Sequence, residues 1–410
     1  MCACFAPVAT ALDGWRFGGH VKYQYTYTDY RADDLAALYG EDPAQDNSLD
    51  LRLKGDGRQA PWDFSAHYEL LAVAGDSVAT RRALGALGFG PDDRTRGLPD
   101  DRRQLFDLTH LLIDKERTAA ESRLDRLAVG HTTARTTARF GRQAVSWGNG
   151  LVFQPLDFIN PFSPFVIDKE YKSGIDMLFA QWIPSDRGDV QGIVVPRRDV
   201  MTHDLESSES TFAAKYRQRF ASFSLELLAA QHYDEPLLGA SLARSVGGAV
   251  WRLDASVAES KTAGATWLAV TNLDYSWVWA EKNYYGYIEY FHSGFGEADR
   301  ANYANPNPAL AARIARGELF TLARDYLAAG VQVELTPLVN VFASTVRNLN
   351  DASHVLQARV VYDWLQNVQA MAGINLPIGA RGDEYGGIEV APGAYSAAGR
   401  SAYARIAYYF

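Results

Sequence analysis

The chain is almost free of cysteine: Cys2 and Cys4 are the two in 410 residues, and both stand in the first few positions. No intrachain disulfide and no cysteine metal site can form in the body of the protein, which suits passage through an oxidising compartment. It has no run of 18 or more consecutive apolar residues, so no segment is long enough to cross a bilayer as a helix. It also has no basic block. The 40 basic and 49 acidic residues are spread along the chain for a net charge of -9, which argues against nucleic acid as a partner.

The spacings that carry enzyme chemistry are missing as well. There is no G-x-S-x-G elbow, no H-E-x-x-H helix and no P-loop, and the glycine pairs near Gly88 and Gly294 lack the third glycine of a dinucleotide site. The eight histidines (His20, His67, His110, His131, His203, His232, His292 and His354) are dispersed, and none pairs with another at metal-ligand spacing. No catalytic residue, metal or cofactor is expected. Paired carboxylates such as Asp33-Asp34, Asp92-Asp93 and Asp100-Asp101 read as solvated loop surface, or as weak contacts for divalent cations.

What is abundant is aromatic side chain. Aromatics make up 12% of the chain, with 22 tyrosines, and mean hydropathy is -0.20, which fits neither disorder nor a helical membrane protein. A membrane protein with no helical run must be a closed barrel, because only helices and barrels satisfy every backbone polar group in lipid. The sequence carries the matching period of two. Phe17, Gly19, Val21, Tyr23, Tyr25 and Tyr27 share one phase, and Gly18, His20, Lys22, Gln24, Thr26 and Thr28 the other. Sandwich strands are usually about five or six residues long, whereas an alternation of this length matches a membrane-spanning strand of about 9–11 residues. The pattern recurs with Trp267, Ala269, Thr271, Leu273, Tyr275, Trp277 and Trp279 against Asn272, Asp274 and Ser276. Trp267 and Trp279 should stand roughly 30 Å apart along a tilted strand, at the two interfacial girdles together with Trp277.

The expected fold is all-β: a single closed antiparallel transmembrane β-barrel with long extracellular loops and short periplasmic turns. Short turns are expected at Asp56-Gly57, Gly247-Gly248, Ala280 to Asn283, Thr336-Pro337 and Asp363 to Asn367. Long loops are expected at Arg31 to Asn47, Ala74 to Gln104, Gly148 to Ser173, Pro196 to Ser208, Gly294 to Glu318 and Pro377 to Gly399. The alternation yields nineteen strand segments, including 105–113 and 122–131. A bacterial single-chain barrel has an even number, so one segment is in excess and about 18 strands are expected, within a range of 16 to 20. Residues 1–11 end in Ala9-Thr10-Ala11 and read as the remainder of a secretory signal peptide, leaving 12–410 as the barrel.

The last strand places Ala402, Ala404, Ile406, Tyr408 and Phe410 on one phase. In this it resembles bacterial outer-membrane barrel proteins, whose closing strand ends in phenylalanine after alternating aromatic or aliphatic residues. The resemblance implies that Ile406, Tyr408 and Phe410 form the signature read by the barrel-assembly machinery, and that the protein resides in the outer membrane among lipid and lipopolysaccharide. The stretch Phe140-Gly141-Arg142-Gln143-Ala144-Val145-Ser146-Trp147-Gly148, followed by Pro155-Leu156-Asp157-Phe158-Ile159-Asn160-Pro161, is similar to a "GRQ-x-x-x-WG … NP" segment of uncharacterised porin-like barrels of proteobacteria. This second likeness implies an architecture and no substrate.

In a barrel, function lies on the inward face and on loops folded into the lumen. Ahead of Trp147, Arg135, Thr137, Arg139, Gly141 and Gln143 share the polar phase, and Arg142 breaks the alternation. An arginine facing lipid at mid-depth costs about 2–4 kcal/mol, so either a bulge near Gly141 turns Arg142 inward or Arg142 lies near the interface, and the isolated glycine favours the bulge. The proline-rich segment 148–173 cannot join a regular ladder and is expected to fold into the lumen. There it would set Asp157, Asp168, Lys169, Glu170 or Lys172 against Arg135, Arg139 and Arg142 as a charged constriction with Gln143; a self-neutralised network that merely stiffens the loop is the competing reading. Arg252, Asp254, Arg324, Gln332, Glu334, Gln357, Arg359 and Arg405 read as ordinary lumen lining.

The expected function is passive diffusion of small hydrophilic solutes. A plugged barrel serving as scaffold or surface receptor, and an export conduit for a polymer such as an exopolysaccharide, are the alternatives. A lipid hydrolase would need serine and histidine together on the outer face, and His292-Ser293, adjacent on a strand, point to opposite faces.

Overall fold

The computed structural model describes residues 14–89, 98–166 and 170–410. The expected leader at 1–11 lies outside them, as do Asp92-Asp93. Strands β1 (Trp15–Asp29), β2 (Ala44–Gln59), β3 (Trp62–Gly75), β4 (Thr109–Lys115), β5 (Thr118–Thr132), β6 (Thr136–Gln143), β7 (Ile175–Ser185), β8 (Gly188–Arg198) and β9 (Leu205–Arg219) form the first half. They are followed by β10 (Ser224–His232), β11 (Glu235–Val246), β12 (Ala249–Ser260), β13 (Gly264–Trp279), β14 (Lys282–Ser293), β15 (Asp325–Thr336), β16 (Val339–Asn348), β17 (His354–Leu365) and β18 (Val368–Ile378). A loop hairpin, β19 (Ile388–Ala391) and β20 (Ala394–Ser396), precedes the closing strand β21 (Arg400–Tyr409). Short helices α1 (Leu35–Tyr39), α2 (Asp76–Ala86) and α3 (Pro308–Ala315) lie in loops, and none is long and apolar enough to cross a membrane.

Each stave pairs antiparallel with its neighbours in chain order, and β1 pairs with both β2 and β21, so the sheet closes on itself. The sheet holds nineteen strands, but β4 and β6 share one edge of β5. Residues Thr118–Arg123 of that edge pair with β4 and Leu127–Thr132 pair with β6. The wall therefore has eighteen staves, and the excess segment of the sequence reading is the one at 105–113. Strand β4 carries three consecutive exposed apolar residues, Leu111 to Ile113, and its register with β5 shifts there, so it supplies only the loop-end part of one stave.

The turns at 60–61, 133–135, 186–187, 220–223, 247–248, 280–281, 337–338 and 366–367 gather at one end, with Gly14 and Phe410. The long connections leave the wall at the other end, after residues 75, 143, 293 and 378. One expected turn is corrected. Asp56-Gly57 continues β2, because Gly57 leaves room for the Trp15 ring stacked over it on the outside while Asp56 turns inward to meet His67 Nε2 at 3.2 Å; the chain reverses at 60–61 instead.

The outer face is the apolar phase. Tyr23, Leu53, Phe64, Phe140, Leu178, Trp267, Leu273, Trp279, Ile406 and Tyr408 are all exposed there, as a lipid-facing surface requires. Closure is tight at the end of the chain. Phe410 N–H donates to Gly19 O at 3.1 Å and Gly19 N–H to Phe410 O at 2.8 Å. A side chain at Gly19 would approach the Phe410 ring to 2.8 Å, so glycine lets the terminal ring lie flat on β1.

Candidate solute pathway

Residues 149–153, between β6 and β7, are held against the inward face of the wall by its carboxylates. Glu289, inward on β14 and fully buried, accepts the backbone N–H groups of Leu151, Val152 and Phe153 at 2.7, 2.9 and 2.8 Å, and the Asn272 amide at 3.0 Å. Asp254 on β12 accepts the N–H groups of Asn149 and Gly150 at 2.6 and 3.0 Å and the Ser241 hydroxyl. Five consecutive backbone donors that no ladder can satisfy thus find charged acceptors, which is what irregular backbone at membrane depth needs.

Side chains complete the docking. Trp147, Val152, Phe153 and Phe158 pack with inward-facing Met177, Val195, Leu228, Leu237, Leu268, Val270 and Phe291 in one buried apolar cluster. The Phe153 and Phe291 rings stack at 4.4 Å. Asp157 and Lys172 form a buried ion pair, and Lys172 Nζ also donates to Val145 O at 2.7 Å, which ties the two limbs of the segment together. Burial pushes the Asp157 carboxyl up to about 6 and pulls Lys172 below its ordinary value, desolvation outweighing the attraction within the pair.

The opposite wall is polar and of mixed charge: Arg52 is paired with Glu69 and, at 2.7 Å, with Asp125, and Lys22 with Glu170 at 2.6 Å. Tyr171 is surrounded there by the Arg52 guanidinium at 4.6 Å, Lys54 Nζ at 4.8 Å and Lys22 Nζ at 5.8 Å from its ring centroid, and Lys54 donates to its hydroxyl. Arg405 Nε donates to Gln24 at 2.9 Å on the same wall. A cavity of about 300 Å³ lies among Lys22, Gln24, Asp50, Arg52, Glu69, Tyr171 and Arg405. Where residues 147–158 sit, the lumen is therefore divided: packed and apolar against β7 to β16, open and charged against β1 to β3 and β21.

The residues singled out from the sequence fall into three groups. Asp157 and Lys172 meet each other, and Glu170 reaches Lys22 at 2.6 Å; Asp168 and Lys169 lie outside the described residues. Arg135 is exposed in the turn between β5 and β6, at the short-turn end. Arg139 faces inward but meets Asp63 at 3.3 Å and Ser65 at 2.9 Å. Arg142 is fully buried by Asp101, Asp176 and the Phe106 carbonyl, and Gln143 caps the carbonyls of Arg139 and Met177 at 3.2 Å. Among the described residues, none of these three arginines meets an acidic side chain of segment 148–173. The register also runs unbroken through Gly141 in both β6 pairings; Arg142 keeps the phase of exposed Phe140, and residues 101–108 cover it.

Trp267 stands at the loop end of the outer face and Trp277 and Trp279 at the turn end, all exposed. Glu289 was not anticipated. Its phase partners on β14 are Tyr285, Tyr287 and Phe291, so the strand shows aromatics on both faces and the alternation that betrays an inward carboxylate is lost. Lys22, by contrast, sits in plain sight on the polar phase of β1.

No family model matches the sequence, and no curated protein matches it. Solved structures do. Pseudomonas aeruginosa OccK5 (OpdH) is 8% identical with a TM-score of 0.54, over 96% of this chain and 98% of that one. Pseudomonas aeruginosa OpdK, solved with vanillate, is 9% identical with a TM-score of 0.52, over 97% and 98%. Pseudomonas aeruginosa OccK2 (OpdF), solved in complex with glucuronate, is 8% identical with a TM-score of 0.50, over 97% of each. At such identities the likeness is one of fold. The chain is a closed antiparallel β-barrel of eighteen staves with an apolar outer face, and shares the fold of these solved barrels.

Proposed function

We propose that the protein is an outer-membrane channel for passive diffusion of small hydrophilic solutes, selective for anionic ones, with its charged constriction where residues 170–173 approach β1, β2 and β21. The observation that carries this reading is the cluster of Lys22, Arg52 and Lys54 around Tyr171, beside a cavity of about 300 Å³. Cations fixed along a narrow polar route replace part of the hydration of a passing carboxylate. Vanillate and glucuronate, seen in two barrels of this fold, are small molecules of that charge class. Segment 148–173 acts as the lumen-folded element that narrows the route: its apolar side fills half the lumen and its 170–172 end faces the open half. Planar-bilayer recording of the refolded protein tests the reading. Discrete steps with anion preference are expected, and absence of steps overturns it.

A second reading, a plugged barrel serving as a surface receptor, is favoured by the apolar cluster that seats residues 147–158 against the wall. Under it the protein gives no conductance steps and no solute flux in liposome swelling.

A further inference from the structure

Several inward cations of the wall are neutralised by carboxylates of the wall itself. Arg139 on β6 meets Asp63 on β3 at 3.3 Å, Arg217 on β9 meets Asp189 on β8 at 2.6 Å, and Arg252 on β12 meets Asp274 on β13 at 2.8 Å. Lys22 on β1 differs. Its ammonium meets Glu170 at 2.6 Å, a carboxylate carried by the connection between β6 and β7. Glu170 Oε2 also accepts the Tyr409 hydroxyl of β21 at 3.2 Å. Two donors held by adjacent staves thus converge on one carboxylate oxygen that the wall does not supply.

Lys22 and Tyr171 line the cavity of about 300 Å³ together with Gln24 and Arg405, yet Lys22 is only 6% exposed. Glu170 covers its ammonium, and the Tyr171 and Tyr409 ring centroids flank it at 5.8 and 6.0 Å. The Glu170 side chain is itself 37% exposed, so the group that covers Lys22 is in contact with solvent. Glu170 can leave Lys22 by turning its side chain between rotamers. The backbone just beyond it is anchored: Lys172 pairs with Asp157 and donates to Val145 O at 2.7 Å, and Gly174 N–H donates to Asp125 at 3.0 Å.

We propose that Lys22 Nζ and Tyr409 Oη form a subsite for a solute carboxylate, and that Glu170 occupies it as a built-in competitor. The inference rests on the channel reading for the solute's arrival, but not for binding. A carboxylate in the cavity finds the same two donors once Glu170 turns away, and Glu170 returns to them when the solute leaves. A tethered competitor acts at an effective concentration on the order of millimolar, which keeps the site from holding an anion too tightly to release it. An ionised acceptor binds an ammonium more strongly than a neutral one, so a hydroxyl or carbonyl of a neutral solute does not displace Glu170.

Calorimetric titration of the folded protein in detergent with glucuronate, and with glucose as the neutral sugar, tests it. Removing the competitor in Glu170→Ala should tighten glucuronate binding by about tenfold, the change expected if Glu170 holds the site about nine-tenths of the time, and should leave glucose unaffected. Glu170→Asp keeps the negative charge but is one methylene shorter, so it too should bind glucuronate more tightly than wild type; repulsion by a fixed charge alone would leave it equal to wild type. Adding Lys22→Gln to Glu170→Ala should remove the gain. Equal affinity in wild type and Glu170→Ala, a gain in Glu170→Ala without one in Glu170→Asp, a parallel gain for glucose, or no glucuronate binding by any variant overturns the proposal. Should Glu170→Ala lack the heat-modifiable mobility of a folded barrel, Glu170→Asp against wild type decides. Tighter binding by a Glu170→Ala barrel that passes no current would overturn the channel reading and leave the subsite standing; anion-selective current with unaltered binding would do the reverse.

Discussion

Arg142 and Asp176 are register partners across β6 and β7, joined at 2.9 Å, and both are fully buried although their phase on the wall is the lipid-facing one. The pair is kept from lipid by residues 101–108. Asp101 gives Arg142 a second carboxylate, Phe106 N–H donates to Asp176 at 2.8 Å, and the Phe106 ring leans edge-on against Phe140 at 6.0 Å. One arginine thereby seals the wall where β6 ends and the β4 segment takes over.

Removing one partner should be far worse than removing both. Arg142→Ala or Asp176→Ala leaves buried charge uncompensated and should cost about 3–5 kcal/mol, read as a lower midpoint in urea unfolding from lipid vesicles. Arg142→Lys keeps the charge but loses the fork that serves two carboxylates and a carbonyl, and should fall between wild type and alanine. A double Arg142→Met, Asp176→Leu variant should unfold later than either single alanine variant.

The same place shows how far the sequence could be read. Alternation revealed the wall because lipid tolerates few exceptions: Tyr23, Leu53 and Trp267 lie outside as their phase requires. Arg142 is an exception, and periodicity supplies two remedies for it, a bulge or an interface position. The protein uses a third, a cover from residues 101–108, which has no periodicity of its own and so leaves no trace in the pattern. That the residues after Trp147 stay out of the ladder was legible from their prolines, but the anchors of residues 149–153 were not. Three backbone N–H groups at Glu289 depend on the loop's path, and nothing in the residue types Leu151-Val152-Phe153 signals a carboxylate partner.

Glu289 should therefore control how firmly the lumen is narrowed. Glu289→Gln replaces an acceptor of four hydrogen bonds with a group carrying one acceptor oxygen and an amide donor that faces other donors. The segment around 149–153 should loosen while the wall stays folded. Single-channel recording should show a larger mean conductance with frequent flicker, and conductance identical to wild type would show that the segment is held by its apolar contacts alone.

The loop between β18 and β19 should respond to pH. Burial raises the Glu384 carboxyl to about 7, where it accepts from Tyr326 Oη at 2.7 Å, Asn348 Nδ2 at 2.9 Å and Leu322 N–H at 2.7 Å, with Asp351 adding negative charge nearby. A carboxyl raised above its unfolded value stabilises the folded loop fully below about pH 4.5, and that stability is lost as pH rises through about 7, up to about 3 kcal/mol by linkage. Protease cleavage within 379–399 should therefore be slower at pH 5 than at pH 8. Glu384→Gln should abolish the difference, and a wild type with equal rates at both values would remove the assignment.

Ion selectivity should follow the arginines of β17 and β21 rather than those of β6. Arg359, whose guanidinium lies 4.3 Å from the Phe342 ring, and Arg405 both lie on the inward phase of the wall, and neither is fully buried. Replacing both with glutamine removes two fixed positive charges from the route while keeping hydrogen-bonding length. The reversal potential in a salt gradient should shift toward cations, with the anion-to-cation permeability ratio falling roughly several-fold at low salt and less at high salt, where screening shortens the reach of every fixed charge. Arg135→Gln, at the exposed turn, should leave the ratio unchanged. A shift from Arg135→Gln without one from the double variant would place the selective region at the turn end of the barrel instead.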